Sequence, residues 1–306
     1  GAGGGRRRTT AGGHLPSVPG YEVAGSVARL GPSCSSALSL SDPVVALVPV
    51  TFDGGCCDYL ILDEHYFVPK PLLLSWEEAA GALQAGVRAY TALRGVVQLL
   101  RDETILLLHG AHADQHLALQ LALSMGADTY TTAATDRELD YLQTLALRLS
   151  ASREAGAGHG SLTVIDTRTA DLLQATMAAT GGLGVDYLLE PGYDHLDACP
   201  PLPTELILQL LAAQGAWITS RAVQLDPPAA KVMLLKCARL AFLFEQTWIL
   251  SGAQHGKYLH IVKELMEQLA AGTIRVNVAQ KLVLEKISVA YAEAQRQPVG
   301  KVVVTL

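Results

Sequence analysis

The chain has 306 residues, of which 50% are hydrophobic and 17% charged, with a formal net charge of −6. That excludes a disordered polyelectrolyte, and the length suits two domains or one large α/β body. Lys and Arg form no long stripe, so direct nucleic-acid binding is not expected, and no apolar run reaches the roughly 18 residues of a spanning helix.

Residues 1–17, opening GAGGGRRRTTAGGH, carry charge without an apolar stretch. They read as a disordered arm, not a secretory leader. Residues 18–70 differ: VPGYEVAGSVARLG, DPVVALVPV and DYLILDEHYFVPKP are short β-rich runs punctuated by Gly and Pro. They predict an antiparallel sheet or partial barrel. Ser75 followed by Glu77 and Glu78 predicts a capped helix start, with AAGALQAGVRAYTAL as helix. From there the pattern alternates. Strands are expected over 103–110, 128–132, 162–166, 185–192 and 216–220, and helices over 115–126, 136–150, 169–179 and 206–215. Such alternation means βαβ units and a parallel sheet. GGLG at 181–184 precedes a strand and reads as a turn. An amphipathic helix is expected over 256–272, and the tail, KLVLEK then GKVVVTL, returns to strand. A β-rich start closed by strands from the C-terminus follows. The cysteines at 34, 56, 57, 199 and 237 form no C-x-x-C pair. Neither a disulfide framework nor a zinc knuckle is indicated, and a reducing cytosol fits. Cys56 and Cys57 are read as buried thiols.

The order of PGYEVAGSV, DYLILDEHYFVPKP, AAGALQAGVRAYTAL, GADTYTT, TGGLGVDYLLE, LLAAQGAWIT and GKVVV, over residues 18–306, resembles one family. It is that of the zinc-independent medium-chain dehydrogenases/reductases of the quinone oxidoreductase (zeta-crystallin) type. The resemblance implies an α/β fold, with a Rossmann-type parallel sheet plus a GroES-like β-rich domain that here lacks its first strands. The domains would be the arm (1–17), a partial GroES-like domain (18–85), a Rossmann-type domain (86–250) and a return to the GroES-like domain (251–306). It implies NADPH-dependent hydride transfer to quinones or enones, and a homodimer. The candidate contact surfaces are the region 216–250 and the helix 256–272. VRAYTAL, VQLDPP, LAFL and GKYLHIVKELMEQL resemble one branch more closely. That branch implies a cytoplasmic subunit of a multi-protein assembly on early endosomes.

The cofactor loop is the central test. HGAHADQH lies between a strand and a helix, where G-x-G-x-x-G lets backbone approach a pyrophosphate. Gly110 is kept, followed by Ala111, but Ala113 and Gln115 stand in for family glycines, and the loop is one residue short. Asp114 adds negative charge near a diphosphate. Thr131 and Thr132 end the second strand without the Asp that grips a ribose 2′-hydroxyl, which favours NADP over NAD. Thr132, at that strand end, is a candidate cofactor-binding residue, and Arg137 a candidate 2′-phosphate contact; Arg137 reads equally as an exposed Arg on a first helical turn. Arg88 stands where the family often has Thr beside the nicotinamide. Three readings stay open: a clamp on an anionic ligand, a filler of the pocket, or an Arg paired with a carboxylate at the domain junction. No zinc site of the relatives is expected, because in Gly20–Tyr21–Glu22 a Tyr replaces their ligand His. His109, His112, Asp114 and His116 cluster locally, with His112 and His116 at i, i+4. Sharing a helix face, that pair would suit a metal ion; the simpler reading is solvated or hydrogen-bonded histidines at a helix start. No catalytic acid or base stands out. Two functions remain: a pseudoenzyme scaffold whose nucleotide site has decayed, which the loop favours, and an active NADPH-dependent oxidoreductase.

Overall fold

The structure, a computed structural model, describes residues 18–35, 37–154, 160–192, 200–295 and 299–306; the arm over 1–17 and Cys199 lie outside the described residues. The Gly- and Pro-punctuated start gives a small antiparallel sheet of β1 (Glu22–Ser26), β2 (Pro43–Leu47) and β3 (Val68–Pro69). The third β-rich run is less regular than its sequence suggests. DYLIL forms no strand, and Ile61 is 94% exposed. A β-prone run becomes a strand only where a neighbour pairs with it.

Helix α1 (Trp76–Gly81) starts on a complete capping box. Ser75 Oγ accepts from the Glu78 amide (3.2 Å) and Glu78 Oε2 accepts from the Ser75 amide (3.0 Å). The Ser75 hydrogen bonds hold the Glu78 carboxyl below its usual range, against the upward push of burial. Ser75→Ala is expected to cost about 1 kcal/mol in urea unfolding at neutral pH. The folded-state pKa is depressed, so this stabilisation is present above the unfolded carboxylate pKa. The wild-type advantage should therefore shrink as pH falls through the lowered Glu78 pKa.

Helix α2 (Leu83–Tyr90) continues into a π-helical turn over Thr91–Val96. There follow β4 (Thr104–Leu107), α3 (His116–Ser124), β5 (Asp128–Ala133), α4 (Asp136–Glu154), β6 (Leu162–Asp166), α5 (Leu172–Ala179) and β7 (Val185–Leu189). The chain goes on through α6 (Thr204–Leu210), β8 (Leu211–Thr219), α7 (Pro227–Lys236), β9 (Arg239–Phe242), α8 (Thr247–Leu250) and α9 (His255–Ala270). Last come β10 (Val278–Val283), α10 (Ile287–Gln295) and β11 (Lys301–Thr305). The turn expected at GGLG is there, with Gly181, Gly182 and Gly184 all at positive φ.

Strands β4 to β9 form one parallel sheet in the order β6-β5-β4-β7-β8-β9. Period-2 alternation sends Ile105, Leu107, Tyr187, Leu189 and Ile218 into one buried cluster, and Leu106, Leu188 and Trp217 into another. Both faces are thus covered, which is why these strands read as unbroken apolar runs. Strand β11 pairs with β10 as a separate parallel pair. It is tied to the first sheet by side chains, since Lys301 Nζ lies 2.6 Å from Glu22 Oε2 in β1.

The helix expected over 206–215 stops at Leu210, and Leu211 already pairs with Val185 of β7. The ammonium of Lys236 explains the early stop. It donates to the carbonyls of Leu208 (2.7 Å) and Leu211 (2.6 Å), satisfying groups a longer helix would use internally. Elements α7, β9 and α10 are further additions to the expected order. Of α9, within the helix expected as a contact surface, the apolar face is spent inside the molecule. Tyr258, Ile261, Val262, Leu265 and Leu269 are buried, and a Cβ on Gly86 of α2 would lie 2.3 Å from Leu265 Cδ2.

Candidate functional site at the sheet switch point

The sheet order reverses direction between β4 and β7. In a doubly wound sheet the crevice outside the carboxyl ends of those two strands is the ligand site. Here it is bounded by His109–Gln115 after β4, Glu190–Gly192 after β7, Ser220 and Arg221 after β8, and Arg88 on α2.

Gly110 does what a first fingerprint glycine does. A Cβ there would sit 2.2 Å from Thr131 Oγ1 and 2.6 Å from Leu119 Cδ1. Its amide, however, is already used. Thr131 Oγ1 accepts from the Gly110 amide (2.9 Å) and Thr132 Oγ1 from the His109 amide (2.8 Å). Thr132, a candidate cofactor-binding residue, braces the loop through its hydroxyl. The three residues after Gly110 curl back on themselves, with the His112 amide donating to the His109 carbonyl (3.0 Å).

The next positions fill the crevice. Ala111 is buried and Ala113 half-buried. Gln115 is fully buried, and its Nε2 reaches the Leu189 carbonyl at the end of β7 at 3.4 Å, while Oε1 has no partner. A buried amide oxygen without a donor costs stability, so the side chain is held by shape as much as by bonding. Asp114 Oδ2 accepts from the Gly192 amide, closing the loop after β4 onto the loop after β7. A Cβ on Gly192 would meet that same oxygen at 2.7 Å.

Arg88 completes the plug. Only 2% exposed, it donates from Nη1 to Ser220 Oγ and from Nη2 to the Glu190 carbonyl (2.8 Å), and Nη1 faces Glu245 Oε2 at 3.8 Å. Gln84, one helical turn earlier, donates to the other Glu245 oxygen (3.3 Å). The side chain thus both faces a carboxylate, Glu245, and occupies the crevice between Ser220 and Glu190. Glu190 itself is buried. Its carboxylate accepts from Trp217 Nε1 (2.9 Å) and pairs with Arg221 (2.7 Å).

Arg137 is exposed on the first turn of α4, away from the plug. Its neighbour Asp136 pairs with Arg168 at 2.7 Å. The local histidine group divides. His116 begins α3 and is fully buried, its Nδ1 at 3.3 Å from the His112 carbonyl. Burial, aided by Lys301, pushes its pKa down to about 4, so it is neutral. His112 precedes the helix, so the i, i+4 pair does not share a helix face. Its Nε2 faces Glu138 Oε1 at 3.5 Å, and the His109 and His112 rings lie 5.3 Å apart.

Glu138 was not foreseen as a member of this site. Thr135-x-x-Glu138 is a capping-box pattern, and that signal places it. Thr135 Oγ1 accepts from the Glu138 amide (3.2 Å), and Glu138 Oε2 accepts from the amides of Ala134 (2.7 Å) and Thr135 (2.9 Å). Burial pushes its pKa up. The His112 contact and the Ala134 amide outweigh that and hold the carboxyl at about 2.

Glu22, in the stretch that carries a ligand His in zinc-using relatives, is a structural tie. Its carboxylate accepts from the Gln84 amide (2.8 Å) and from Lys301. The cysteines 34, 56, 57 and 237 are free; Cys56 and Cys57 are half-buried rather than buried, and burial raises the Cys56 pKa. No helix among the described residues is long and apolar enough to cross a membrane.

The chain is 36% identical over 287 residues to "Quinone oxidoreductase-like protein 1" of Mus musculus, covering 90% of this chain and 79% of that protein. It is 31% identical over 173 residues to a highly reducing polyketide synthase, Dhc3, of Alternaria cinerariae, covering 56% of this chain and 7% of the synthase. No family model matches the chain. Among solved structures, an Escherichia coli quinone oxidoreductase complexed with NADPH superposes with a TM-score of 0.75 at 23% identity, covering 97% of this chain and 85% of that one. An alcohol dehydrogenase superfamily protein from Novosphingobium aromaticivorans gives 0.77 at 20% identity, over 95% and 83% of the two chains. These structural likenesses establish the fold.

Proposed function

This chain belongs to the zinc-independent medium-chain dehydrogenases/reductases of the quinone oxidoreductase type, and from that premise we propose that it keeps the family's fold while its hold on NADPH is weak or lost, and that it works as a subunit of a protein complex. One observation carries the reading: the crevice at the switch point is filled by the chain's own side chains. Gln115 occupies the junction of loop, helix and β7, Asp114 closes on Gly192, and Arg88 spans Glu190, Ser220 and Glu245. A pyrophosphate needs backbone amides and no side chain in that place. The residues present do not fit a dinucleotide in this arrangement, so no hydride-transfer step is derived from them.

The partner role has its surface at the open edge of the parallel sheet. Beside β9, Leu234, Leu235, Phe242 and Phe244 are all exposed, and exposed apolar groups at a sheet edge favour contact with another chain. The early-endosome assembly and cytoplasmic location rest on the resemblance to one branch of the family.

The test is calorimetry with NADPH, using NADH as control. The expected result is no saturable binding at millimolar NADPH by the folded wild type. The double replacement Ala113→Gly with Gln115→Gly should gain affinity less than one that also replaces Arg88 by Thr, because loop and plug both obstruct the site. Micromolar binding by the wild type would overturn the reading, restore NADPH-dependent reduction of a quinone or enone, and justify a substrate screen.

A further inference from the structure

We propose that His109, His112 and Glu138 form a binding site for a divalent transition metal ion of the zinc type, at the rim of the plugged crevice. The inference does not rest on the reading of NADPH above. One ligand atom from each residue lies within 4.8 Å of the others. Zinc bonds of about 2.0 to 2.2 Å in a tetrahedron draw ligand atoms to about 3.4 Å apart. His112 Nε2 and Glu138 Oε1 are already at that spacing, 3.5 Å. The His109 nitrogen, within 4.8 Å of both, closes the remaining distance by rotation of its half-buried side chain, its backbone being held at Thr132.

Three further features belong to a built site. The two Glu138 oxygens are divided between tasks: Oε2 is fixed by two backbone amides, which aims Oε1 at His112. Carboxylate ligands of metals are commonly oriented by such outer hydrogen bonds. His109 adopts a left-handed φ of 58°, a conformation uncommon for a residue with a side chain, and it turns the ring towards His112. His112 and Glu138 are buried and His109 is half-buried, so the cluster has a sheltered interior reached from the His109 side. Two imidazoles and one carboxylate suit zinc or cobalt over magnesium or calcium, and they leave a fourth position for water. The site is distinct from the zinc positions of the zinc-using relatives, whose matching stretch here ends in the structural Glu22.

The test uses the untagged full chain after chelator treatment. Zinc is titrated by calorimetry and cobalt by visible absorption. The expected results are one-to-one saturable binding of zinc and the intense visible bands of tetrahedral cobalt. His109→Asn and Glu138→Gln should each weaken zinc binding by at least about 10-fold and abolish the cobalt bands. Asn tolerates the left-handed backbone, and Gln can still accept from the α4 cap, so both variants should fold, as circular dichroism would verify. His260→Asn, at an exposed histidine on α9, should leave the affinity unchanged. Absence of saturable binding by the wild type would overturn the proposal. So would wild-type affinity in folded His109→Asn, which stands alone as the test should Glu138→Gln fail to fold.

Discussion

Arg88→Met is expected to lower the free energy of unfolding by about 3 to 5 kcal/mol, the range found when one partner of a buried ion pair is removed. The replacement retains an unbranched side chain of similar reach, so the loss reports the guanidinium and not a large cavity. What remains behind is costly. Glu245 is left buried with only the Gln84 amide on its other oxygen, and the Glu190 carbonyl and Ser220 hydroxyl lose their donor. Arg88→Lys should recover only part of the loss, because one ammonium cannot span three acceptors that a planar fork reaches together. Urea midpoints for the two variants measure this directly. A loss below about 1 kcal/mol for Arg88→Met would mean that the guanidinium is not a strut, and would return Arg88 to the role of a clamp on an anionic ligand.

Much of the architecture follows from local pattern. The runs around ILLL, YLL and WIT are apolar on both pleat faces, so they demand cover on both sides, and the alternation with helices then dictates a parallel sheet. Ser75 and the glycines of GGLG mark boundaries through backbone chemistry that acts within four residues, which is why they are readable. The end of α6 is not readable in that way, because it depends on Lys236, which reaches it from the far end of α7. The strand character of DYLIL failed for the same reason: pairing is a non-local property. At the site, the retained Gly110 and the departures at Gln115 and Arg88 are visible in the sequence, since loop and junction are fixed by chain order. Their partners were not visible. Glu190, Ser220, Gly192 and Glu245 reach the crevice from the ends of other strands, and Glu138 reaches the histidines only because β5 lies beside β4. A capping signature placed Glu138 at a helix start, but the neighbour it would meet is a fact of the sheet.

Trp217→Ala is expected to cost about 3 to 5 kcal/mol, and Trp217→Phe about 1 to 3 kcal/mol, for separable reasons. Trp217 is the largest fully buried side chain, packed in the cluster with Leu188, Ile207, Leu211 and Met233 on the face of the sheet away from α2. Truncation to Ala empties that space, and the surrounding strands and helices cannot collapse to fill it. Phe keeps most of the ring volume but removes the indole N–H, leaving the Glu190 carboxylate with Arg221 alone. The gap between the two variants in denaturant unfolding is therefore the packing contribution, and the Phe value is mainly the buried hydrogen bond. Near-identical stability of wild type and Trp217→Phe would show that Arg221 alone satisfies Glu190. The Phe variant also has a consequence across the sheet. Glu190 is held on its carboxylate by Trp217 and on its carbonyl by Arg88, so a shift at one end is felt at the other. Trp217→Phe and Arg88→Met should accordingly be non-additive by more than about 0.5 kcal/mol in a double-mutant cycle, as residues sharing one network are. Strict additivity would mean that the plug over the switch point is a set of independent contacts. In that case relieving it for a nucleotide would need no more than changes in the loop after β4.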